Sequence, residues 1–283
     1  MLALLFLPAL WAAAPPPGVD EIVRRSLERD MRNVRALDDY AYEVKNTQRT
    51  YDGGGKVTKT EITVEEVLQV DGTRYRRKIE EDGHPLKPTE AKREQDKLDR
   101  EMARRRAESP SQRKTRIEEE KKKREEFRVL REDVGRAYDF KLMGEDVIQG
   151  AKCWRVSAEP KKSGFQGKSD IGRRVVPKMH GTLWISQASY EWLRIEAEAL
   201  DTIRFGWILA SLAKGSSFKM EQARVAGDLW HPSRMEMRMK ARGLIITFNM
   251  GGDIEFRNFR KFGAESRMLT GTELAPAKPS APK

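Results

Sequence analysis

The segment HGTLWISQASYEWLRIEAEALD, residues 180–201, has the pattern of two β-strands joined by a short polar turn. In its second half, apolar residues alternate with charged ones. The apolar members are Leu193, Ile195, Ala197 and Ala199. Because side chains on a strand point alternately to opposite faces, this pattern predicts one apolar face and one solvated face. Such a strand is typical of an antiparallel sheet that packs one side on a core.

Strand-length segments of the same kind occur on both sides of this one. Residues 40–83 contain three alternating runs separated by the turns YDGGGK and VDGT, and four more runs follow residue 217. In one of them Ile62, Val64 and Leu68 alternate with polar residues, and Glu66 is the one exception. The sequence therefore predicts a mainly β (α+β) fold with an antiparallel sheet of about ten strands, a length at which sheets curl.

Two apolar segments are predicted to be helices on the concave side of this sheet. The first follows residue 19, with Asp20 as its N-cap. Its apolar stripe consists of Val23, Leu27, Met31 and Val34. The second is IRFGWILASLAKG, residues 203–215, which is predicted to form a helix or a lid because its apolar residues are crowded together.

The charged residues are concentrated in one stretch. The chain has a net charge of +11, and residues 87–133 hold 17 Lys and Arg against 13 Asp and Glu. The pattern predicts two helices, at residues 89–107 and 110–133, because Ser109, Pro110 and Gln112 form a helix-start signal. This charged helical hairpin is either a solvated insertion or a basic arm that docks on an anionic membrane surface or an envelope protein.

The beginning of the chain predicts export. MLALLFLPALWAAAPPPG is an apolar run followed by small residues and prolines, which is typical of a secretory signal peptide, here residues 1–14. We therefore expect a periplasmic or otherwise exported protein and no nucleic-acid partner for its basic surface. Residues 19–262 are expected to form a single domain that contains the charged insertion, and residues 263–283 a flexible tail.

The sequence contains no recognisable catalytic or metal-binding motif. Cys153 is the single cysteine, which excludes an intrachain disulfide and a thiolate cluster. No two histidines have a metal-ligand spacing, and the G-x-S-x-G and phosphate-loop motifs are absent. His231 and Met235 are candidates for a soft-metal site, but alternate methionines on a strand lie about 7 Å apart and do not readily share an ion. We therefore predict no catalytic residues, no metal and no cofactor.

The stretch GDLWHPSRMEMRMKARG, residues 227–243, has three methionines at every second position. Methionine is flexible and polarisable, which suits both an irregular core and a surface that accepts variable apolar shapes. The row therefore either fills the core or lines a cavity for an acyl chain. The residues assigned to this apolar face are Met235, Met237, Met239, Met220, Phe218, Trp207, Phe248 and Met250.

Two motifs carry a family resemblance. HGTLWISQASYEWLRIEAE and ARVAGDLWHPSRMEMRM, in which a turn glycine, an aromatic residue and a proline introduce a strand, resemble the LolA/LolB-like lipoprotein-localisation carriers of the Gram-negative periplasm. The resemblance covers residues 19–262 except the insertion at 87–133. It implies a curved half-barrel sheet around helices, with acyl chains bound between sheet and helices, and it assigns no gating residue in this chain.

Two functions remain open on the sequence alone. The first is an exported, non-enzymatic protein that binds lipid or lipoprotein acyl chains in such a cavity. The second is a structural or regulatory interaction module of the cell envelope, with a filled core and a basic helical arm for a partner. A pocket with convergent, desolvated titratable groups would instead indicate an enzyme.

The export prediction can be tested directly. If residues 1–14 are a signal peptide, N-terminal sequencing of the exported protein should begin between Ala12 and Gly18. A protein that keeps Met1 and stays in the cytoplasm would contradict it.

Overall fold

The sheet is the main element of the protein. A computed structural model describes residues 17–205, 210–242 and 247–261, and thirteen strands in them form one antiparallel sheet. The predicted mainly β fold with a large antiparallel sheet is confirmed, and the sheet does not close. The strands are β1 (Tyr40–Tyr51), β2 (Val57–Val70), β3 (Thr73–Glu81), β4 (His84–Pro85), β5 (Tyr138–Ile148), β6 (Ala151–Pro160), β7 (Met179–Ser186), β8 (Trp192–Ala199), β9 (Ile203–Phe205), β10 (Ala210–Leu212), β11 (Ser217–Ala226), β12 (Leu229–Arg242) and β13 (Thr247–Lys261).

The sheet places the first described strand beside the last one. Eleven strands lie side by side in the order β4-β3-β2-β1-β13-β12-β11-β8-β7-β6-β5. Most neighbours are also consecutive in sequence, as in a meander. β1 and β13, in contrast, are the first and last described strands, and they pair from Tyr40 with Lys261 to Tyr51 with Asn249. Without this pairing, the group of strands that ends in β1 and the group that begins with β13 would be two separate sheets.

The prediction of a helix or lid at residues 203–215 was wrong for the described residues. Ile203–Phe205 and Ala210–Leu212 are short strands, and β10 pairs with both β9 and the end of β12. β11 pairs with β12 only as far as Arg238, so the last residues of β12 leave an open edge. Because free backbone groups on a strand edge favour another strand, this edge explains the extended conformation.

Four helices accompany the sheet in the described residues. They are α1 (Val19–Ala36), α2 (Pro88–Arg106), α3 (Pro110–Ala137) and α4 (Asp170–Arg174). The N-cap of α1 lies two residues before the predicted one: it is Gly18, and Asp20 lies in the first turn, where its charge favours the helix dipole.

α1 packs on one face of the sheet, which we call the inner face. Ile22 of α1 is 0% exposed, and its core neighbours come from β6, β7, β8 and β11. The buried members of this cluster are Ile22, Val23, Trp154, Val156, Ala158, Leu183, Ile185, Trp192 and Met220. The prediction of an apolar helix packed on the sheet is therefore correct for α1 through Val23 and Leu27, whereas Met31 and Val34 of the predicted stripe lie toward α3.

α2 covers the opposite, outer face at one end of the sheet. Leu98 is 1% exposed and packs with Met102 against Leu68 of β2. The predicted exception Glu66 is buried on this same face, where Arg77 and Arg260 pair with it. Leu68, one of the alternating apolar residues of β2, therefore packs against the inserted hairpin.

α3 runs from the β2–β3 turn back to α1. Its capping box at Ser109 is present as predicted. Arg116 contacts Asp71 in the β2–β3 turn, and Arg131 pairs with Asp30 of α1. Since β4 and β5 lie at opposite ends of the strand order, the hairpin between them bridges the two edges of the open sheet.

The alternation in β8 contains one break that the sequence did not reveal. Trp184 pairs with Arg194 and Ile185 with Trp192, so Leu193 is an extra residue in β8. This bulge turns Leu193 to the outer face, in a cluster with Trp184 and Cys153, rather than to the face of Ile195. The prediction that Leu193 shares a face with Ile195 was wrong for this reason.

The packing of α2 predicts a difference between two positions of the hairpin. Leu98→Ala should lower the free energy of unfolding by about 2–4 kcal/mol, because it leaves a cavity between α2 and the sheet. Phe127→Ala in α3 should change it by less than about 0.5 kcal/mol, because Phe127 is exposed. Urea denaturation of both variants measures the difference, and equal effects would show that α2 is not packed as described.

Candidate functional site

The inner face carries a continuous row of apolar side chains across seven neighbouring strands. Residues that pair directly in an antiparallel sheet point to the same face. The row consists of Leu142, Val156, Leu183, Ile195, Met220, Met235 and Ile254. In the next rows Met237 pairs with Phe218, and Met239 with Met250. We call the part of the inner face that holds the methionines of β11, β12 and β13, together with Phe218, the methionine face.

Burial divides the inner face into two parts. Under α1, Val156 and Ile185 are fully buried. On the methionine face, Met220 is buried, but five apolar side chains are only half-buried. They are Met235, Met237, Met239, Met250 and Phe218. The described residues therefore cover the β6–β7 part of the inner face completely and leave the β12–β13 part incompletely covered.

Two of the predicted site residues are not placed on this face by the structure. Trp207 lies outside the described residues. Phe248 pairs through its backbone with Ala241 in the register of β12 and β13, but its side chain is outside the described part. The other six predicted residues come from three adjacent strands and lie together on the methionine face.

A glycine leaves room in the middle of the methionine face. Gly252 pairs with Met237 in β12. A Cβ atom built at Gly252 would meet Met237 Cε at 3.8 Å, an ordinary van der Waals contact. The surface beside Met237 is therefore hollow by about one methyl group, and the flexible thioether can move into that space or out of it.

The methionine face ends at a polar border on β1. Ile254 pairs with Asn46, Gly252 with Gln48, and Met250 with Thr50. The apolar rows thus change to amide and hydroxyl side chains one strand beyond the methionines. Such a border gives an apolar surface with polar groups along one side, which suits an amphipathic ligand.

Two buried polar atoms close to Met220 have no hydrogen-bond partner among the described residues. They are Nε1 of Trp192 and Oε1 of Gln222. Trp192 belongs to the core cluster that contains Met220. Gln222 follows Met220 in β11 beyond a register shift, which breaks the alternation of faces there. A buried donor and a buried acceptor without partners cost free energy that a hydrogen-bonding ligand or water can recover.

His231 lies in an aromatic cluster. Its ring is 4.8 Å from that of Phe256 and 5.3 Å from that of Phe259, and Tyr42 lies on another side. Burial lowers the pKa of His231 from 6.5 to about 4, although the Pro232 carbonyl opposes this shift, and Arg74 lowers it further. The imidazole is therefore neutral at pH 7 and acts as part of the apolar packing.

A buried charge anchors α1 to the sheet. Glu191, 1% exposed, pairs with Arg29 and accepts a hydrogen bond of 2.7 Å from Asn33 Nδ2. Burial raises the pKa of Glu191, and the bonds from Arg29 and Asn33 counteract it. Because removing one partner of a buried pair leaves an uncompensated charge, this contact fixes where α1 lies on the inner face. Sequence reasoning missed it, since nothing local relates residues 158 or more positions apart.

The described residues offer little for other chemistry. No group of three or more His, Cys, Asp or Glu side chains in them is arranged to hold a metal ion. Cys153 is fully buried on the outer face, and burial raises the pKa of its thiol, which makes it unreactive. In the same residues no helix has the length and apolar character needed to cross a bilayer.

Comparison with known proteins gave similarity at the level of solved structures. No protein-family model and no curated protein matches the chain. A LolA superfamily protein from Nitrosomonas europaea shares 10% identity over 88% of this chain and 97% of its own, with a TM-score of 0.36. This chain is similar to LolA superfamily proteins.

Two further structures are similar over most of their length. A protein described as an outer membrane lipoprotein-sorting domain from Vibrio parahaemolyticus is 12% identical over 84% of this chain and 93% of its own, with a TM-score of 0.36. A DUF1329 family protein from Desulfovibrio piger is 12% identical over 87% of this chain and 97% of its own, with a TM-score of 0.32.

The depressed pKa of His231 predicts a stability loss in mild acid. The unfolded chain takes up a proton near pH 6.5 and the folded one only near pH 4, so stability is full above pH 6.5 and falls between those values. We expect His231 to account for about 1–2 kcal/mol of loss between pH 7 and pH 5, discounted for its partial exposure.

The measurement is a comparison of unfolding free energies at both pH values for the wild type and for His231→Phe. Phenylalanine keeps an aromatic ring in the cluster and cannot titrate. The variant should therefore lose less stability than the wild type in this window. Parallel pH profiles would show that His231 is not the responsible group.

Proposed function

We propose that this protein is an exported, non-enzymatic carrier that binds an acyl chain of a lipid or lipoprotein on the methionine face. The observation that supports the proposal best is the burial contrast within one face: Val156 and Ile185 are fully buried, whereas Met235, Met237 and Met239 are not. A half-buried apolar surface of this kind is costly in water and gains free energy when a ligand covers it.

The chemistry of the face favours an acyl chain over a rigid ligand. The four half-buried methionines and Phe218 present unbranched or flat apolar groups, and Gly252 leaves room beside Met237. Thioether side chains adopt many rotamers at low cost, so the surface can follow a flexible hydrocarbon. In the two rows of paired residues that contain Met235 and Met237, none of the described side chains from β8 to β13 is charged.

The polar end of such a ligand has two places to bind. Asn46, Gln48 and Thr50 border the methionine face on β1, and Nε1 of Trp192, in the core cluster of Met220, is a buried donor without a partner among the described residues. Hydrogen bonds to an ester or carboxyl group at either place would fix the direction in which the chain lies. Export to the periplasm, inferred from residues 1–14, would bring the protein to the compartment where lipoproteins need a carrier.

Substitution of Met237 tests this proposal. Met237→Glu places a charge in the centre of the methionine face and should abolish binding of a fluorescent long-chain fatty acid to the delipidated protein. It should also cost about 1–3 kcal/mol of stability, because the site is only half-buried. Met237→Leu keeps the apolar character, should cost under about 1.5 kcal/mol, and should bind the fatty acid as the wild type does.

Lys240→Glu is the matched control. Residue 240 is exposed on the other face of the same strand, so the added acid should affect neither stability nor binding by more than a little. Native mass spectrometry of wild-type protein from its own periplasm should show a lipid adduct that the Met237→Glu protein lacks. Fatty-acid binding that survives Met237→Glu would refute the proposal, and absence of binding in the wild type would favour the interaction module with a filled core.

A further inference from the structure

A second apolar surface lies outside the sheet, between α1 and α3. A crevice of about 280 Å³ separates the two helices, and its apolar lining consists of Met31, Val34 and Phe127. Phe127 is 60% exposed, which is unusual for a phenylalanine in the middle of a 28-residue helix. An exposed aromatic side chain beside an apolar crevice marks a surface that contacts something else.

The crevice is lined mainly by cations. The cationic side chains are Arg35, Lys121, Arg124, Arg128 and Arg131, and the carboxylates are Asp38 and Glu125. Both carboxylates are already paired: Arg124 bonds to Asp38, and Arg128 bonds to Glu125 and lowers the pKa of its carboxyl. Arg131 is also paired, with Asp30, so Arg35 and Lys121 are the two lining cations that form no ion pair within the described ranges, and they give the crevice its positive charge.

Three consecutive lysines one turn before Phe127 add to this charge. Lys121, Lys122 and Lys123 are all exposed, and none of them forms an ion pair within the described ranges. The arginines of the same helix behave differently, since Arg116 and Arg128 are each held by two carboxylates. Because successive residues of a helix are turned by about 100°, Lys121 and Lys123 lie on either side of Phe127 and Lys122 points away from it. The exposed Glu119 and Glu126 of the same helix offset part of the lysine charge.

We infer that this α1–α3 surface docks the protein on an anionic phospholipid bilayer. Phe127 inserts at the level of the acyl-chain boundary, and the ammonium groups of Lys121 and Lys123 contact lipid phosphates on either side of it. An aromatic residue in the interface and a basic cluster beside it are the two contributions that together give stable peripheral binding. Unpaired lysines on flexible stems suit a diffuse anionic surface, whereas a folded acidic partner would favour cations held in fixed positions.

The position of this surface fits the fold. α1 packs on the inner face of the sheet, and α3 contacts α1 through Arg131 and Asp30. The docking surface and the methionine face therefore lie on the same side of the sheet. The inference uses none of the residues of the methionine face, so it stands or fails independently of fatty-acid binding.

Vesicle sedimentation tests the docking surface with the full-length mature protein. The wild type should bind vesicles of phosphatidylcholine with about one-third phosphatidylglycerol at about 0.1 M salt, and bind far less at about 0.5 M salt or to pure phosphatidylcholine. The triple variant Lys121→Gln, Lys122→Gln, Lys123→Gln should bind the anionic vesicles at least about tenfold more weakly. Phe127→Ser should weaken binding about tenfold as well, through lost apolar insertion.

Matched controls separate the surface from general charge and hydrophobicity. A triple variant with Lys56→Gln, Lys141→Gln and Lys152→Gln removes the same charge from exposed positions elsewhere. Val147→Ser removes an apolar side chain that is 61% exposed on β5. Both controls should bind like the wild type, and thermal melts should show that all variants are folded.

Two outcomes would overturn the inference. One is a wild-type protein that does not bind anionic vesicles, which would leave a protein partner as the occupant of this surface. The other is equal loss of binding in the patch variants and the controls, which would mean that net charge alone determines adsorption. The Met237→Glu variant should dock as the wild type does, whatever its effect on fatty-acid binding.

Discussion

The pairing of β1 with β13 holds the two halves of this protein together. It joins a strand near the start of the chain to the last described strand through a ladder from Tyr40–Lys261 to Tyr51–Asn249. The polar border of the methionine face exists only because β1 lies next to β13, and the aromatic cluster around His231 takes Tyr42 from one strand and Phe256 from the other. Contacts so distant in sequence form late and slowly, because chain entropy opposes them until most of the fold is in place.

The sequence predicted the elements better than it predicted which surface each one covers. Alternation in β8 and β12 and the capping box at Ser109 were sufficient to locate strands and helices, because these signals are local. The apolar run at residues 203–215 was misassigned, since a short continuous apolar segment has no period that separates helix from strand. The bulge at Leu193 was also invisible, because a slip of one residue reverses the face without changing the composition.

The candidate site shows the same division. Strict alternation places Met235, Met237 and Met239 on one face, and this could be read from the sequence. Whether that face is filled depends on how far α1 extends over the sheet, and the buried contact of Glu191 with Arg29 and Asn33 determines this. Long-range polar contacts leave no local pattern, so the distinction between core and half-buried surface required the structure. The hairpin is a similar case, because its charge predicted solvation and gave no sign that Leu98 packs on β2.

The two ends of the open sheet differ in a way that bears on self-association. β4 has only two residues, and β5 has a register shift at Gly144, a residue with a φ of +133°. A strand edge invites other chains when it is long, straight and apolar. One edge here is mostly β3, because β4 pairs only with its last two residues, and most side chains of β3 are charged. The other edge is bent in the middle and lined alternately by charged side chains. A sheet that never closes can therefore stay in dilute solution without adding strands from neighbouring molecules.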